Sequence, residues 1–393
     1  MKILHILPSY LPAVRYGGPM QSVHALCKSL VRLGHEVDVL TSSRDGRTRT
    51  SAELGRPTRM DGVSVWYFNI DVFRRLYHCP GMGRFLDERM TRYDLVHSHS
   101  VFLWPTWAGE SAARRHHVPY VISPRGMLVQ ELIRKKNSWL KMAWIQWIEK
   151  GNLEAANAIH ATSALEARQI LEFGLNLKEI FVVPNGVDPI PDAKPGPQSE
   201  ALRALEQWTG KRPFILFLGR IHWKKGLDHL ILSLEHAPGA LLAIVGNDEE
   251  GYQKKLQKIC DDHAWGDRVR FFGPVYDASK YELYRRAACL ALPSYSENFG
   301  NVVLEALAAG CPVIVTPEVG LAEDVKDAGA GCVVNREPAG LGSAINRILS
   351  DDSLRSRMGE AGKRLSEKFT WEVIAKKMDD KYQAIQKGFR DGR

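Results

Sequence analysis

Short apolar runs alternate with amphipathic, helix-length stretches from one end of this chain to the other, and that alternation leaves few folds open. Strand, helix and strand in succession build a parallel sheet covered by helices. In the first half the apolar runs predict strands at Lys2–Leu7, Glu36–Thr41, Val63–Phe68, Leu95–His97, Tyr120–Ser123 and Ala158–Ala161. A helix is predicted from about Pro19 to Leu33, with Gly34 as its stop. The pattern breaks at 189–199, where Pro189, Pro191, Pro195, Gly196 and Pro197 crowd together and resist helix and sheet alike. It restarts at Phe214–Leu218 and runs through Leu241–Val245, Val269–Phe272, Cys289–Leu292, Pro312–Thr316 and Gly331–Val334. From Leu354 to about Gly388 the chain reads as helix, bent at Phe369-Thr370-Trp371. The expectation is an α/β chain of two Rossmann-like domains, 1–190 and 191–370, closed by a helix over 371–393. At 393 residues it has enough chain for two cores.

Composition narrows the class. Hydrophobic residues at 45% and charged residues at 25% are ordinary for a globular chain and exclude disorder. The net charge of +8 suits an anionic partner without saying which. The six cysteines are scattered, with no zinc spacing, and read as buried thiols of a reducing compartment. Pro8 cuts the N-terminal apolar run too short for a signal peptide, and no run approaches the roughly 18 apolar residues of a spanning helix. The expected location is cytoplasmic, with any membrane contact peripheral and at the cytoplasmic face. No helix-turn-helix, RNA-recognition or zinc pattern supports a nucleic-acid partner.

In open parallel sheets, ligands bind at the carboxyl ends of strands, so candidates are judged by that position. Glu297-Asn298-Phe299-Gly300-Asn301-Val302-Val303-Leu304-Glu305 follows a strand and opens a helix. Gly300 admits close backbone approach, and a helix N-terminus favours phosphate. Glu305 falls among apolar residues, where a carboxylate is costly without a partner. The next candidate, Gly219-Arg220-Ile221-His222-Trp223-Lys224-Lys225-Gly226, ends a strand with Arg220 and Lys225, two cations suited to a diphosphate that gains charge as its sugar leaves. A solvated basic loop would look the same. Gly17-Gly18-Pro19 offers either backbone amides to a phosphate or a plain tight turn. His97 and His99 share a strand face without a third ligand in view, so no metal is expected. His99 suits hydrogen bonding at the strand end and His97 a buried structural place. Asn185-Gly186, just before the proline-rich stretch, is a turn former that can also touch ligand.

These elements, in this order and over essentially the whole chain, resemble the large retaining glycosyltransferase family of the GT-B fold that includes bacterial mannosyltransferases and sucrose synthase. The E-x-F-G-x-x-x-x-E element (Glu297 to Glu305), the G-R-x-x-x-x-K-G element (Gly219 to Gly226) and Phe369-Thr370-Trp371 carry the likeness. The resemblance implies two facing Rossmann-like domains with a cleft between them and a final helix crossing back to the first. It implies a nucleotide-diphosphate sugar as donor substrate, no cofactor and no metal. Arg220 and Lys225 would hold the diphosphate. Glu297 would bind sugar hydroxyls, aided by amides of Phe299, Gly300 and Asn301, with Val302 beside them. Glu305 would bind ribose, Pro274 and Val275 the base. Gly17, Gly18, Gly219 and Asn185 would line the donor, and His99 would sit near the transferred sugar. Attack on the same face as departure, with a phosphate oxygen taking the proton, needs no carboxylate nucleophile.

The acceptor side is read from residues 125–150. Arg125 and Gly126, in Ser123-Pro124-Arg125-Gly126-Met127, resemble a segment of polysaccharide-assembly members and imply a glycan or lipid-linked acceptor. Lysines, Arg134 and three tryptophans over 134–150 suit an anionic membrane surface, or equally a helix packed into the first domain. A sugar-nucleotide 2-epimerase and a catalytically silent scaffold are the alternatives.

Overall fold

The apolar runs become two parallel sheets, each in its own unit. The computed structural model describes residues 1–13, 18–45, 48–71, 73–130, 148–190, 200–210, 212–248, 250–275 and 279–392. One unit comprises Met1–Gly186 and Trp371–Arg393, the other Val187–Thr370. The chain enters the second unit at Val187, a little before the expected boundary at 190. The Val187 N–H finds the Phe369 carbonyl at 2.8 Å, and Val187 bridges to Thr370. Most of the proline-rich stretch, 191–199, lies outside the described residues.

The first sheet has eight strands: β1 (Lys2–Ile6), β2 (Glu36–Ser42), β3 (Pro57–Met60), β4 (Val63–Phe68), β5 (Leu95–His99), β6 (Tyr120–Ser123), β7 (Ala158–Ala161) and β8 (Ile180–Val182). Their order is β8-β7-β6-β5-β1-β2-β4-β3. All pairs are parallel except the β3–β4 hairpin. β5, β6 and β7 are buried along their whole length, so their apolar residues do not alternate with exposed ones and the polar residues of β5 are enclosed with them. Helix α1 (Gly18–Arg32) joins β1 to β2 and closes with paired bonds from Gly34 to Val31 and from His35 to Leu30. Leu4, Ile6, Val96 and Ile122 face one side of the sheet and join its main apolar cluster. Alternation therefore turns His5, His97 and His99 to the other side.

The second sheet is fully parallel: β9 (Ile215–Leu218), β10 (Leu242–Val245), β11 (Val269–Phe272), β12 (Cys289–Leu292), β13 (Val313–Val315) and β14 (Gly331–Val333), in the order β11-β10-β9-β12-β13-β14. This is the doubly wound order, and its direction of growth reverses between β9 and β12. The first sheet reverses between β1 and β5. In such sheets the crevice beyond the strand ends at the reversal is the ligand position. Helix α2 (Asp352–Ser366) is followed by a short 3-10 turn over Glu367–Phe369 and then by α3 (Trp371–Asp391), which packs on α1 within the first unit. No described helix is long and apolar enough to cross a membrane. All six cysteines are free and buried.

Candidate active site

In the second unit, the loop after β9 is folded onto the loop after β12. Trp223–Lys225 forms one 3-10 turn, started by the Lys224 N–H donating to His222 Nδ1 at 3.1 Å. Gly226 closes it at φ +64, and a Cβ there would lie 2.1 Å from the Pro293 carbonyl oxygen. Only glycine allows both the left-handed turn and that approach. The Tyr295 N–H then donates to the Lys224 carbonyl at 2.7 Å and fastens the two loops together. The result is an ion pair between Lys225 Nζ and Glu297 Oε2, both side chains about one-fifth exposed at 19% and 21%. Glu297 is fixed from the other side: its N–H donates to Glu318 at 3.0 Å and its carbonyl accepts from Gly320 at 2.9 Å. Arg220 lies exposed on the same basic loop.

Gly300, at φ +96, is the N-cap of the helix Asn301–Ala308 and, being glycine, brings no side-chain cap. Phe299 is buried beneath it. Four residues into this helix, Glu305 accepts from Lys280 Nζ at 2.7 Å and from the Tyr284 hydroxyl at 2.9 Å. Burial, then the field of Glu305, pushes the Tyr284 phenol well above its ordinary range, so it stays a donor. Two of the carboxylate's roughly four acceptor directions are used, leaving room for hydroxyls. Val275 is buried and Pro274 exposed on the loop after β11, whose next residues, 276–278, lie outside the described set.

In the first unit, the reversal point holds a ladder of neutral imidazoles. Register sets His5 beside His97. His5 Nδ1 lies 2.9 Å from His99 Nε2, and Arg125 Nη2 lies 3.3 Å from His99 Nδ1. Arginine can only donate, so His99 carries its proton on Nε2 and donates to His5. His97 Nδ1 meets the Tyr382 hydroxyl of α3 at 2.5 Å, and His160 Nε2 donates to the Val183 carbonyl at 2.7 Å. Burial first, then the Arg125 charge, lowers His5 and His160 to about 3. His97 and His99 are lowered well below the ordinary range, burial again leading. Arg125 itself sits at φ +55; Ser100, whose N–H donates to the Ser123 carbonyl at 2.8 Å, sits at +82, and Phe102 at +67. Its Nη1 donates to Asn185 Oδ1 at 2.8 Å. The turn is stapled by Glu166, which accepts from the Gly126 and Thr162 amides, each at 2.7 Å. A cavity of about 200 Å³ opens here, walled by Leu7, Met20, Val23 and Leu103, with Ser9, Tyr77, His99 and Arg125 as polar lining.

The predicted residues thus fall into two groups. His99, Arg125, Gly126 and Asn185 come together in the first unit, with half-buried Gly18 opening α1. In the second, Lys225 and Glu297 meet; Gly219 and Arg220 lie on the loop of Lys225, and Phe299, Gly300, Asn301, Val302 and Glu305 on the segment that follows Glu297. Gly17 and the stretch 131–147 lie outside the described residues, so of 134–150 only 148–150 is described. Sequence reasoning missed His5, the third imidazole, whose donors lie with those of His97 and His99 within 4.8 Å of one another. The direct His5–His99 bond and the Arg125 cation against His99 make this donor set a poor cage for a dication. It also missed Lys280 and Tyr284, the partners that Glu305 required. Arg336 was missed as well: it leaves β14, lies 4.3 Å from the Tyr295 ring centroid, and pairs with Glu318 at 2.8 Å. Its place just beyond a strand's carboxyl end was the one available signal.

Two Rossmann-like units, one carrying a basic loop locked to the glutamate that precedes a glycine-capped helix, define a glycosyltransferase of the GT-B fold. Anabaena HepE, crystallised with UDP and glucose, has this fold, with a TM-score of 0.75 at 21% identity over 98% of this chain and 100% of that one. The chain belongs to the group 1 glycosyl transferases: the family described as "Glycosyl transferases group 1" matches residues 198–365, and a "Glycosyl transferase 4-like domain" matches residues 17–186. A D-inositol 3-phosphate glycosyltransferase of Nocardia farcinica is 30% identical over 80% of this chain and 72% of its own. Another, from Xylanimonas cellulosilytica, is 29% identical over 98% of this chain and 96% of its own.

Proposed function

We propose that the chain moves a sugar, with retained anomeric configuration, from a nucleotide-diphosphate donor to a glycan or lipid-linked acceptor in cell-surface polysaccharide or glycolipid synthesis. The Lys225–Glu297 pair carries this reading. Lys225 is held between two loops at the reversal of the second sheet, with Arg220 on the same loop and the glycine-capped N-terminus of the helix Asn301–Ala308 nearby in the chain. Preorganised cations of this kind stabilise a diphosphate as its sugar departs, and they do so without a metal. Glu297 is neutralised by Lys225 and clamped through its backbone, which suits accepting sugar hydroxyls better than attacking carbon. Glu305 offers its remaining lone pairs to the ribose.

Same-face attack then lets the departing phosphate oxygen take the acceptor's proton. His99 acts in this scheme by orienting Arg125, since both of its ring nitrogens are already engaged. HepE's crystals with UDP and glucose support a nucleotide-sugar donor. The six buried thiols suit a reducing, cytoplasmic compartment. A lipid carrier would bring the chain to the cytoplasmic membrane face from the side.

The test is incubation with UDP-, GDP- and ADP-sugars in EDTA, with and without lipid-linked acceptors, followed by mass spectrometry. Transfer that disappears in Lys225→Ala supports the reading. An altered sugar nucleotide without transfer would replace it with the 2-epimerase, and no nucleotide binding at all with the scaffold.

A further inference from the structure

Arg125 is a cation without an anion. Its Nη1 donates to the neutral Asn185 amide and its Nη2 to the neutral His99 ring. Its Nε is shut away from solvent with no partner. Among the described residues, no carboxylate lies within ion-pair distance of the guanidinium. Glu166 is the acid whose field reaches it, and that carboxylate is occupied by the Gly126 amide and by the Thr162 amide and hydroxyl. The surrounding histidines are neutral and provide no compensation.

Arg125 is half-buried and its Nε wholly so, and a charge partly withdrawn from water without a counter-ion is unfavourable; folds keep one where a ligand completes it. Three further observations indicate a ligand. Arg125 lines the cavity of about 200 Å³ at the reversal of the first sheet. Ser9, on the facing loop, has a buried hydroxyl with no hydrogen-bond partner and lines the same cavity. Arg125 and Ser100, which line that cavity, and nearby Phe102 hold left-handed backbone conformations that are strained for side-chain-bearing residues, and such strain gathers at ligand clamps. The volume, small beside sites for larger ligands, admits one ring-sized group.

We propose that this cavity binds an oxyanion, the phosphate or carboxylate of a negatively charged sugar acceptor, with Arg125 as its counter-ion and Ser9 as a second donor. The word acceptor rests on the transferase reading. The anion site rests on the cavity alone.

Hydrogen exchange read by mass spectrometry on the full chain tests this at matched ionic strength, with sodium chloride as reference. The probes are inorganic phosphate, glucose 1-phosphate, glucuronate, methyl α-glucoside and UDP. The charged sugars are expected to slow exchange over 99–103 and 120–128, and the methyl glucoside is not. Their apparent affinity should fall roughly tenfold to a hundredfold in Arg125→Gln and largely survive in Arg125→Lys. Preference for glucose 1-phosphate or for glucuronate identifies the anion as phosphate or carboxylate. Equal protection by the methyl glucoside, protection by UDP alone, or none from any anion overturns the inference. Should Arg125→Gln unfold, the charged-against-neutral comparison in the unmodified chain still decides. Sugar transfer on the same preparation separates the two readings. Transfer with an unchanged acceptor KM in Arg125→Gln removes the anion site alone. Anion protection in a chain that neither binds nor turns over any sugar nucleotide removes the transferase reading alone.

Discussion

Lowering the pH from 7.5 to 5.5 should loosen the first unit far more than the second. His5, His97, His99 and His160 are each at most 1% exposed and face Arg125, Tyr382 and one another, with no acid in contact among the described residues. His5 and His160 are lowered to about 3, and the other two well below the ordinary range. The folded rings therefore stay neutral across this interval, while the unfolded chain takes up protons near pH 6.5. The unfolded state binds more protons, so stability falls as pH falls. For one ring the unfolded state gains about tenfold between pH 7.5 and 5.5, and for four about ten-thousandfold. Buried Glu110 opposes this: its carboxyl is pushed up by burial and by Glu149, so it returns at most one proton over the two pH units, or about a hundredfold. The net is at least roughly a hundredfold, about 2.7 kcal/mol, a substantial part of the 5–15 kcal/mol that holds an ordinary domain together. The second unit has no comparable buried array among its described residues; His222 is lowered, but its side chain is 20% exposed. Hydrogen exchange corrected for the intrinsic pH dependence should show protection in β1, β5, β6 and β7 falling by about that factor relative to β9, β10 and β12. His160→Gln should flatten the first unit's pH dependence by one proton, whatever it does to absolute stability. Parallel loss in both units, or an unchanged slope in the variant, would refute the reasoning.

Lys225→Ala should lower kcat by roughly a hundredfold to a thousandfold in donor turnover, because the lost charge acts on the departing diphosphate. Gly226→Ala should lower kcat at least tenfold, since a Cβ 2.1 Å from the Pro293 oxygen pushes the two site loops apart. Exchange in the first unit's strands should be unaffected, and wild-type turnover in this variant would sink the account of that turn. Tyr284→Phe removes one of the two donors to Glu305 and should weaken nucleotide binding several-fold, with a stability loss of about 1–2 kcal/mol by thermal denaturation. A variant whose calorimetric Kd matches the parent would show that the hydroxyl does not orient the carboxylate.

What the sequence discloses here is local, and what it hides is which loops meet. The strands of both halves stand out because a strand buried on both faces must be apolar along its length, and the β9 and β12 exits stand out because glycine and charge follow them. Two strands of the eight-stranded sheet escape for the same reason. Pro57–Met60 is a polar, exposed antiparallel edge, and Ile180–Val182 is three residues long, so neither needs an apolar run. His5 reads as a stray polar letter inside a buried strand. It becomes part of a ladder only because β1 lies beside β5 and sets it next to His97, 94 residues before His99. Glu305 announces by its apolar company that it needs a partner, but Lys280 and Tyr284 stand on the preceding helix, where nothing marks them. The same limit hides the anion site. Arg125 is visible in the sequence as a basic residue after a strand, and a basic residue is ordinarily solvated. Its significance comes from what surrounds it: a ring already holding its proton elsewhere, an amide, and a carboxylate spent on the backbone. A charge becomes a functional claim when its neighbours are shown unable to neutralise it, and that is a property of the packed interior rather than of any residue spacing.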